Sequence, residues 1–107
     1  MKGDRVGEFE ELVLLAVRAL EPPVYGVPVQ RFVERTARRD VAMGAVYAAL
    51  DGLEVKGFVR SSLGEATAER GGRRKRLFAL TPQGTRMLEE LRRLRDRIWR
   101  AIERAES

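Results

Sequence analysis

Cysteine and histidine are both absent from the chain. With no cysteine there are no disulfides and no thiol chemistry, which fits an intracellular, cytoplasmic protein. With no histidine, the commonest general base and the commonest transition-metal ligand are missing. No cofactor or metal site is therefore expected. Carboxylate pairs such as Glu10/Glu11 and Glu89/Glu90 stand side by side on helix surfaces among arginines. Nothing in the sequence sets them across a pocket, and an enzyme is not expected. Long apolar runs are lacking too. None approaches the ~20 residues that cross a bilayer, so no membrane partner is expected. Acidic residues break up Met1–Leu20, where a secretory signal would stand.

What remains is a small, charged, helix-rich chain. Its 107 residues allow one domain-sized core. Hydrophobic content of 44% beside 35% charge places it with globular rather than disordered chains. The 21 Lys and Arg outnumber the 16 Asp and Glu, and a net charge of +5 makes polyanions plausible partners.

Met1–Val6 is polar. It is either a solvated terminus or, through Lys2 and Arg5, a phosphate contact. Gly7–Leu20 reads as a first helix with Phe9, Leu12, Val13, Ala16 and Leu20 on one face, broadened by Leu15 and Val17. Glu8, Glu10 and Glu11 suit its positive N-terminal end and make its outer surface a poor DNA contact. Glu21-Pro22-Pro23 stops that helix, and Tyr25-Gly26 restarts the chain. Val27–Thr36 is a second helix, with Pro28 in its first turn and Val29, Phe32 and Val33 as the buried stripe. Arg31, Arg35, Arg38 and Arg39 put positive charge on it or just after it, as a solvated face or as a DNA contact. Arg38–Val41 connects to the next helix, with room for a short strand at Val41.

The stretch that organises the rest is Ala42–Gly57. Val46, Leu50 and Leu53 recur at helical spacing and face inward. Gly44, Ala45, Tyr47, Ala48 and Asp51 occupy the other face, which is thin and carries one charge. Such a face can approach another large molecule closely, and the major groove of DNA fits it. Gly57 suits a left-handed helix terminator.

Phe58–Leu63 and Leu77–Leu80 read as paired strands, with Val59 and Leu63 on one side and Phe78 and Leu80 as inward candidates. The loop between them, Gly64–Arg76, is long for a compact hairpin. Gly71-Gly72 gives it a flexible turn, and Arg70, Arg73, Arg74, Lys75 and Arg76 crowd around that turn. Their mutual repulsion is relieved by an anion, and nucleic-acid phosphate or a narrow minor groove fits. Thr81-Pro82 caps the last helix. Along it Met87, Leu91, Leu94, Ile98, Ala101 and Ala105 alternate four and three residues apart, a 3.5-residue period. Leu88, Trp99 and Ile102 widen this stripe. A helix of that length outreaches so small a domain, so a second copy is expected to bury the seam in a two-fold homodimer. Leu12, Leu91, Leu94, Ile98 and Ile102 are the dimerisation candidates. Folding back onto Phe9–Leu20 would explain part of the seam as well.

The order helix, helix, helix, strand, basic loop, strand, long helix predicts an α+β, mainly α fold. Residues 1–80 make a winged helix-turn-helix DNA-binding domain and 81–107 a C-terminal dimerisation helix. The chain also resembles the PadR family of bacterial transcriptional regulators. The resemblance rests on Phe9–Ala16 (FEELVLLA), Tyr25-Gly26, Gly44–Leu50 (GAVYAAL) followed by Leu53-Glu54 and Lys56-Gly57, and Gly72–Gly84 (GRRKRLFALTPQG). These stretches span most of the chain, and its single last helix looks like the branch with a short C-terminal region. The resemblance implies a dimeric repressor-like regulator, often of transporter or detoxification genes.

Carried over by position, Tyr47 lies on the DNA face of the recognition helix, with Met43, Gly44, Ala45 and Ala48 near base edges. Arg38 and Arg39 stand beside it, and Arg70, Arg73, Arg74 and Lys75 belong to the wing. The sequence departs from the usual means of base reading: no Arg, Lys, Asn or Gln stands between Ala42 and Val55. Readout would then rest on thymine methyls, Tyr47 and DNA shape. Some relatives stack flat aromatic compounds on tryptophan between subunits. That implies a small aromatic effector at paired Trp99 rings, with Phe9 or Met87 nearby. The alternative for Trp99 is packing in the seam. The alternative for the whole protein is a winged-helix protein-interaction module without sequence-specific DNA binding.

Overall fold

In a computed structural model, which describes residues 5–64 and 75–107, the first helix is α1 (Glu8–Ala19). Helices α2 (Gly26–Ala37) and α3 (Met43–Val55) follow, with a two-residue strand β1 (Val24–Tyr25) just ahead of α2. Strands β2 (Val59–Leu63) and β3 (Arg76–Leu80) come next, and α4 (Pro82–Glu106) ends the chain. The fold is mainly helical, with one antiparallel sheet in the order β1-β3-β2.

The three short helices bury their apolar stripes against one another and against the sheet. Val13, Leu14, Ala16 and Val17 of α1 meet Val29 and Val33 of α2 and Val46, Leu50 and Leu53 of α3. Phe78 of β3 and Val59 of β2 close this core from the sheet side. Most of these side chains are fully out of water, and each such Val, Leu or Phe contributes about 1.5–3 kcal/mol by transfer alone.

Three details differ from the sequence pattern. On α1 the fully buried leucine is Leu14, while Leu15 is exposed: α2 and α3 both pack on the 13/14/16/17 arc and turn Leu15 outward. Leu63 is 61% exposed although Val59, on the same strand face, is buried. The reason is register: Val59 pairs with Leu80 over the core, whereas Leu63 pairs with Arg76 out in the wing. Val41 forms no strand; the short strand is Val24–Tyr25, which pairs with Phe78 and Leu77.

Helix α3 ends as its residues dictate. Gly57 takes φ +83°, and Phe58 N–H reaches back to the Leu53 carbonyl at 2.9 Å, the terminator that glycine makes easy. The start of α4 is fastened to the same corner. Thr81 Oγ1 accepts from Gly84 N–H at 3.0 Å and donates to the Gly57 carbonyl at 2.6 Å. Gly84 lies so close to Phe58 that a Cβ would stand 2.0 Å from its carbonyl oxygen. Met87 and Leu88 then pack on the core. From Arg92 to Ser107 every residue is exposed, including Leu94, Ile98, Trp99 and Ile102. At 25 residues the helix runs about 37 Å, and the molecule extends 61 Å along its longest axis.

Candidate nucleic-acid interface

Helix α3 is presented by the turn that precedes it. Helix α2 ends with Arg38 in the left-handed region, φ 57°, and Arg39 N–H returns to the Glu34 carbonyl at 3.3 Å. Two side chains one turn apart on α2 then hold Val41. Gln30 Nε2 donates to its carbonyl at 2.7 Å, and Glu34 Oε2 accepts from its N–H at 3.0 Å. Val41 is itself buried, so the turn is pinned by two hydrogen bonds and an apolar plug. The link between α2 and α3 is therefore short and pinned at Val41. Sequence reading missed Gln30 and Glu34. The available signal was a polar i, i+4 pair on the helix ahead of a lone apolar Val41.

The outer face of α3 carries Gly44, Ala45, Tyr47, Ala48 and Asp51, all exposed, and Met43 is half-buried at its start. No side chain caps the first turn, and a Cβ at Gly44 would have nothing within 4 Å. Tyr47 is the one large group on this face. Its ring tilts against Phe78 with centroids 6.3 Å apart, and its outer end lies over Gly26, the first residue of α2. A Cβ there would fall 2.7 Å from Tyr47 Cζ and from its hydroxyl oxygen. The pose of Tyr47 thus depends on glycine at 26.

The root of the wing is tied to α3 by charge. Arg76 Nη2 lies 3.0 Å from Asp51 Oδ1 and 3.0 Å from Glu54 Oε1. The guanidinium also covers the Phe78 ring at 4.8 Å. The other Glu54 oxygen accepts from Ser61 N–H at 3.2 Å and from Ser61 Oγ at 2.8 Å. One guanidinium thus pairs with both carboxylates of α3 and offsets one of their two charges, and both wing strands are held to the helix. Arg38 is exposed at the turn, and Arg39 sits over the Phe9 ring at 5.7 Å. Lys75 sits over the Tyr25 ring at 5.6 Å. The expectations placed on Arg70, Arg73 and Arg74 lie outside the described residues.

On the far side of the molecule a groove of about 590 Å³ runs between α1 and α4, lined by Leu15, Leu88, Arg95 and Trp99 among others. Arg95 crosses it to the Glu11 carboxylate, a bond that holds the guanidinium pKa above its ordinary value. Phe9 and Met87, expected beside Trp99, do not line this groove; both pack on the core instead. Leu12 is half-buried and borders a small apolar hollow with Leu15 and Phe32. Among the described residues, no acidic cluster is arranged to hold a metal ion, and no helix is long and apolar enough to cross a membrane.

Three helices, a pinned turn between the second and third, and an antiparallel hairpin define a winged helix-turn-helix protein. Residues 13–90 match the model of the transcriptional regulator PadR-like family. The chain belongs to that family, whose members are transcriptional regulators and not enzymes. Solved structures share the fold. A PadR-like transcription factor from Bacteroides fragilis has a TM-score of 0.78 at 22% identity, over 94% of this chain and 91% of that one. The PadR-like regulator BC4206 from Bacillus cereus has 0.70 at 17%, over 90% and 88%. Bacillus subtilis PadR, solved in complex with operator DNA, has 0.68 at 16%, over 81% of this chain and 48% of that one. None of the curated protein sequences is matched significantly.

Proposed function

We propose that the protein is a sequence-specific DNA-binding repressor that acts in the cytoplasm as a homodimer on an inverted repeat. The outer face of α3 enters the major groove. Gly44, Ala45 and Ala48 approach base edges, Met43 and Tyr47 flank them, and Arg38 and Arg39 lie toward the backbone. Arg70, Arg73, Arg74 and Lys75 supply the wing contacts. Residues 1–80 are the DNA-binding domain, and 81–107 join the two copies. The single observation that carries the reading is the exposed, uncapped α3 face, whose only acid is already paired with Arg76. Apart from Tyr47, which packs on Phe78 and Gly26, that surface is thin and its one acid is paired, so a polyanion can approach it closely. The operator complex of Bacillus subtilis PadR, a protein of the same fold, supports the same partner.

Dimerisation is supported by α4. Its last four turns leave Leu94, Ile98, Trp99 and Ile102 in water, a seam that a second copy buries, together with Leu12 and Leu91. The Trp99 groove between α1 and α4 suits a flat aromatic effector. There it stacks on Trp99 and releases the DNA, with Leu15 and Leu88 as walls in place of the expected Phe9 and Met87.

Selection of bound sequences from random duplexes tests the function. Two half-sites in inverted orientation are expected. Recovery of no preferred sequence would leave a winged-helix interaction module as the better account.

A further inference from the structure

Alternate residues of the wing strands turn away from the core. Phe78 of β3 is buried, while Leu77 and Ala79 on either side of it point to the other face of the sheet and stay half-buried. Register sets Arg60 beside Ala79 and Ser62 beside Leu77 on that face. Because α3 shares the core with Phe78, this face of the sheet is turned away from α3. A groove of about 480 Å³ runs over it, closed by Arg18 of α1, Thr85 of α4 and the Pro22-Pro23 turn. Small-molecule clefts span roughly 300–1,000 Å³, and this one falls among them.

The charge in the groove is of one sign. Arg18 and Arg60 reach it from two elements. Among the described residues no carboxylate lines it, and neither arginine forms an ion pair. The turn that walls it is strained as well. Glu21, just ahead of Pro22, holds φ 59°, a conformation that side chains disfavour and that persists where the surroundings fix it, as at ligand clamps.

We propose that this groove binds a small phosphate monoester carried on a flat apolar body. Two guanidiniums match the charge of about −1.5 to −2 that a phosphate monoester bears at pH 7, whereas a carboxylate bears one. The guanidinium fork pairs with phosphate oxygens two at a time, and the Ser62 and Thr85 hydroxyls are further donors. Leu77 and Ala79 give a ring an apolar floor and Pro23 gives it a wall, surfaces that inorganic phosphate would leave unused. The site is distinct from the Trp99 groove. Arg18 and Thr85 border both, but Arg60, Ser62, Leu77 and Ala79 line this one and not the other. It also stands apart from the DNA-binding reading, because it is read out by ligand binding alone.

The test titrates the full chain by calorimetry with phenyl phosphate, benzoate, phenol and inorganic phosphate. A hydrogen bond to a charged partner is worth roughly tenfold, so phenyl phosphate should bind at least about tenfold more tightly than each of the other three. Arg60→Gln should weaken phenyl phosphate by about tenfold and shrink the rise in melting temperature that it gives the wild type. Ser62→Ala should weaken it by less. Both positions are exposed strand residues, so the fold should survive. Arg104→Gln, at the far end of α4, is the control and should change nothing. Failure of phenyl phosphate to bind overturns the proposal. Benzoate or inorganic phosphate binding as tightly as phenyl phosphate overturns the phosphate-monoester assignment. Phenyl phosphate binding that ignores both Arg60→Gln and Ser62→Ala moves the probe to the Trp99 groove and overturns the site. An Arg60→Gln variant that loses as much affinity for a random-sequence duplex as for phenyl phosphate makes Arg60 a DNA contact and overturns it too.

Discussion

The ring of Tyr47 lies over Gly26 so closely that a methyl group at 26 would stand 2.7 Å from its Cζ and hydroxyl oxygen. Helices α2 and α3 thus meet at a contact that only glycine permits. Gly26→Ala should swing the ring outward rather than unfold the chain, because the obstacle is the far end of a side chain. The expected outcome is a stability loss of about 1 kcal/mol with a tenfold or larger loss of DNA affinity. Denaturant titration and duplex binding measure the two separately. A variant that binds as wild type would mean that the pose of Tyr47 is irrelevant to recognition.

Gly84 faces a harder obstacle. Its missing Cβ would fall 2.0 Å from the Phe58 carbonyl oxygen, which is backbone and cannot step aside. Gly84→Ala should lower stability by about 3 kcal/mol and shift the start of α4, so dimer formation should weaken with it. Thermal unfolding and sedimentation velocity together check this. An alanine variant with unchanged melting temperature contradicts the packing described here.

Arg38 separates stability from function. It holds a left-handed conformation, φ 57°, which favours glycine over a side chain by about 1 kcal/mol. Arg38→Gly should therefore raise the melting temperature by a few degrees while weakening binding to every duplex sequence alike. If stability rises and affinity stays put, Arg38 is only a helix terminator.

The periodic parts of the fold were legible because period alone decides them. Val46, Leu50 and Leu53 recur on one side of α3 and are buried there. Thr81-Pro82 marks the start of α4 as a capping hydroxyl and a first-turn proline must. Where two neighbouring residues compete for one face, tertiary packing chose. Leu14 went in and Leu15 out, because α2 and α3 both lean on the same arc of α1. Leu63 obeyed strand alternation yet stayed in water, because its end of the strand runs past the core. The two-residue strand at Val24–Tyr25 carries too little pattern to announce itself.

The candidate site was legible at Tyr47 and its small neighbours, which follow from helical phase. It was not legible at Gln30, Glu34 or Arg76, whose roles arise from partners 7–25 positions away. The arginine nearest the strand looked like one more wing cation. It is instead the cation that bridges the two carboxylates of α3 and offsets one of their two charges.

Salt dependence reports how many phosphates the protein neutralises. Neutralising about six to ten phosphates should cost roughly three to five decades of affinity between 50 and 200 mM salt. Arg73→Ala with Arg74→Ala should lower that slope by about 2 without altering sequence preference. Affinity that ignores salt would remove the wing from the interface.

Whether two chains act together on DNA is read from the stoichiometry of the complex on one selected inverted-repeat duplex. Sedimentation equilibrium is run with the wild type and with Leu94→Asp/Ile98→Asp, which places charge in the exposed seam of α4. Two chains per duplex are expected for the wild type. The variant is expected to be a folded monomer at micromolar concentration that binds the same duplex at least a hundredfold more weakly. A wild type that binds as one chain per duplex, or a seam variant that still binds as a pair with full affinity, would contradict joint action by two chains.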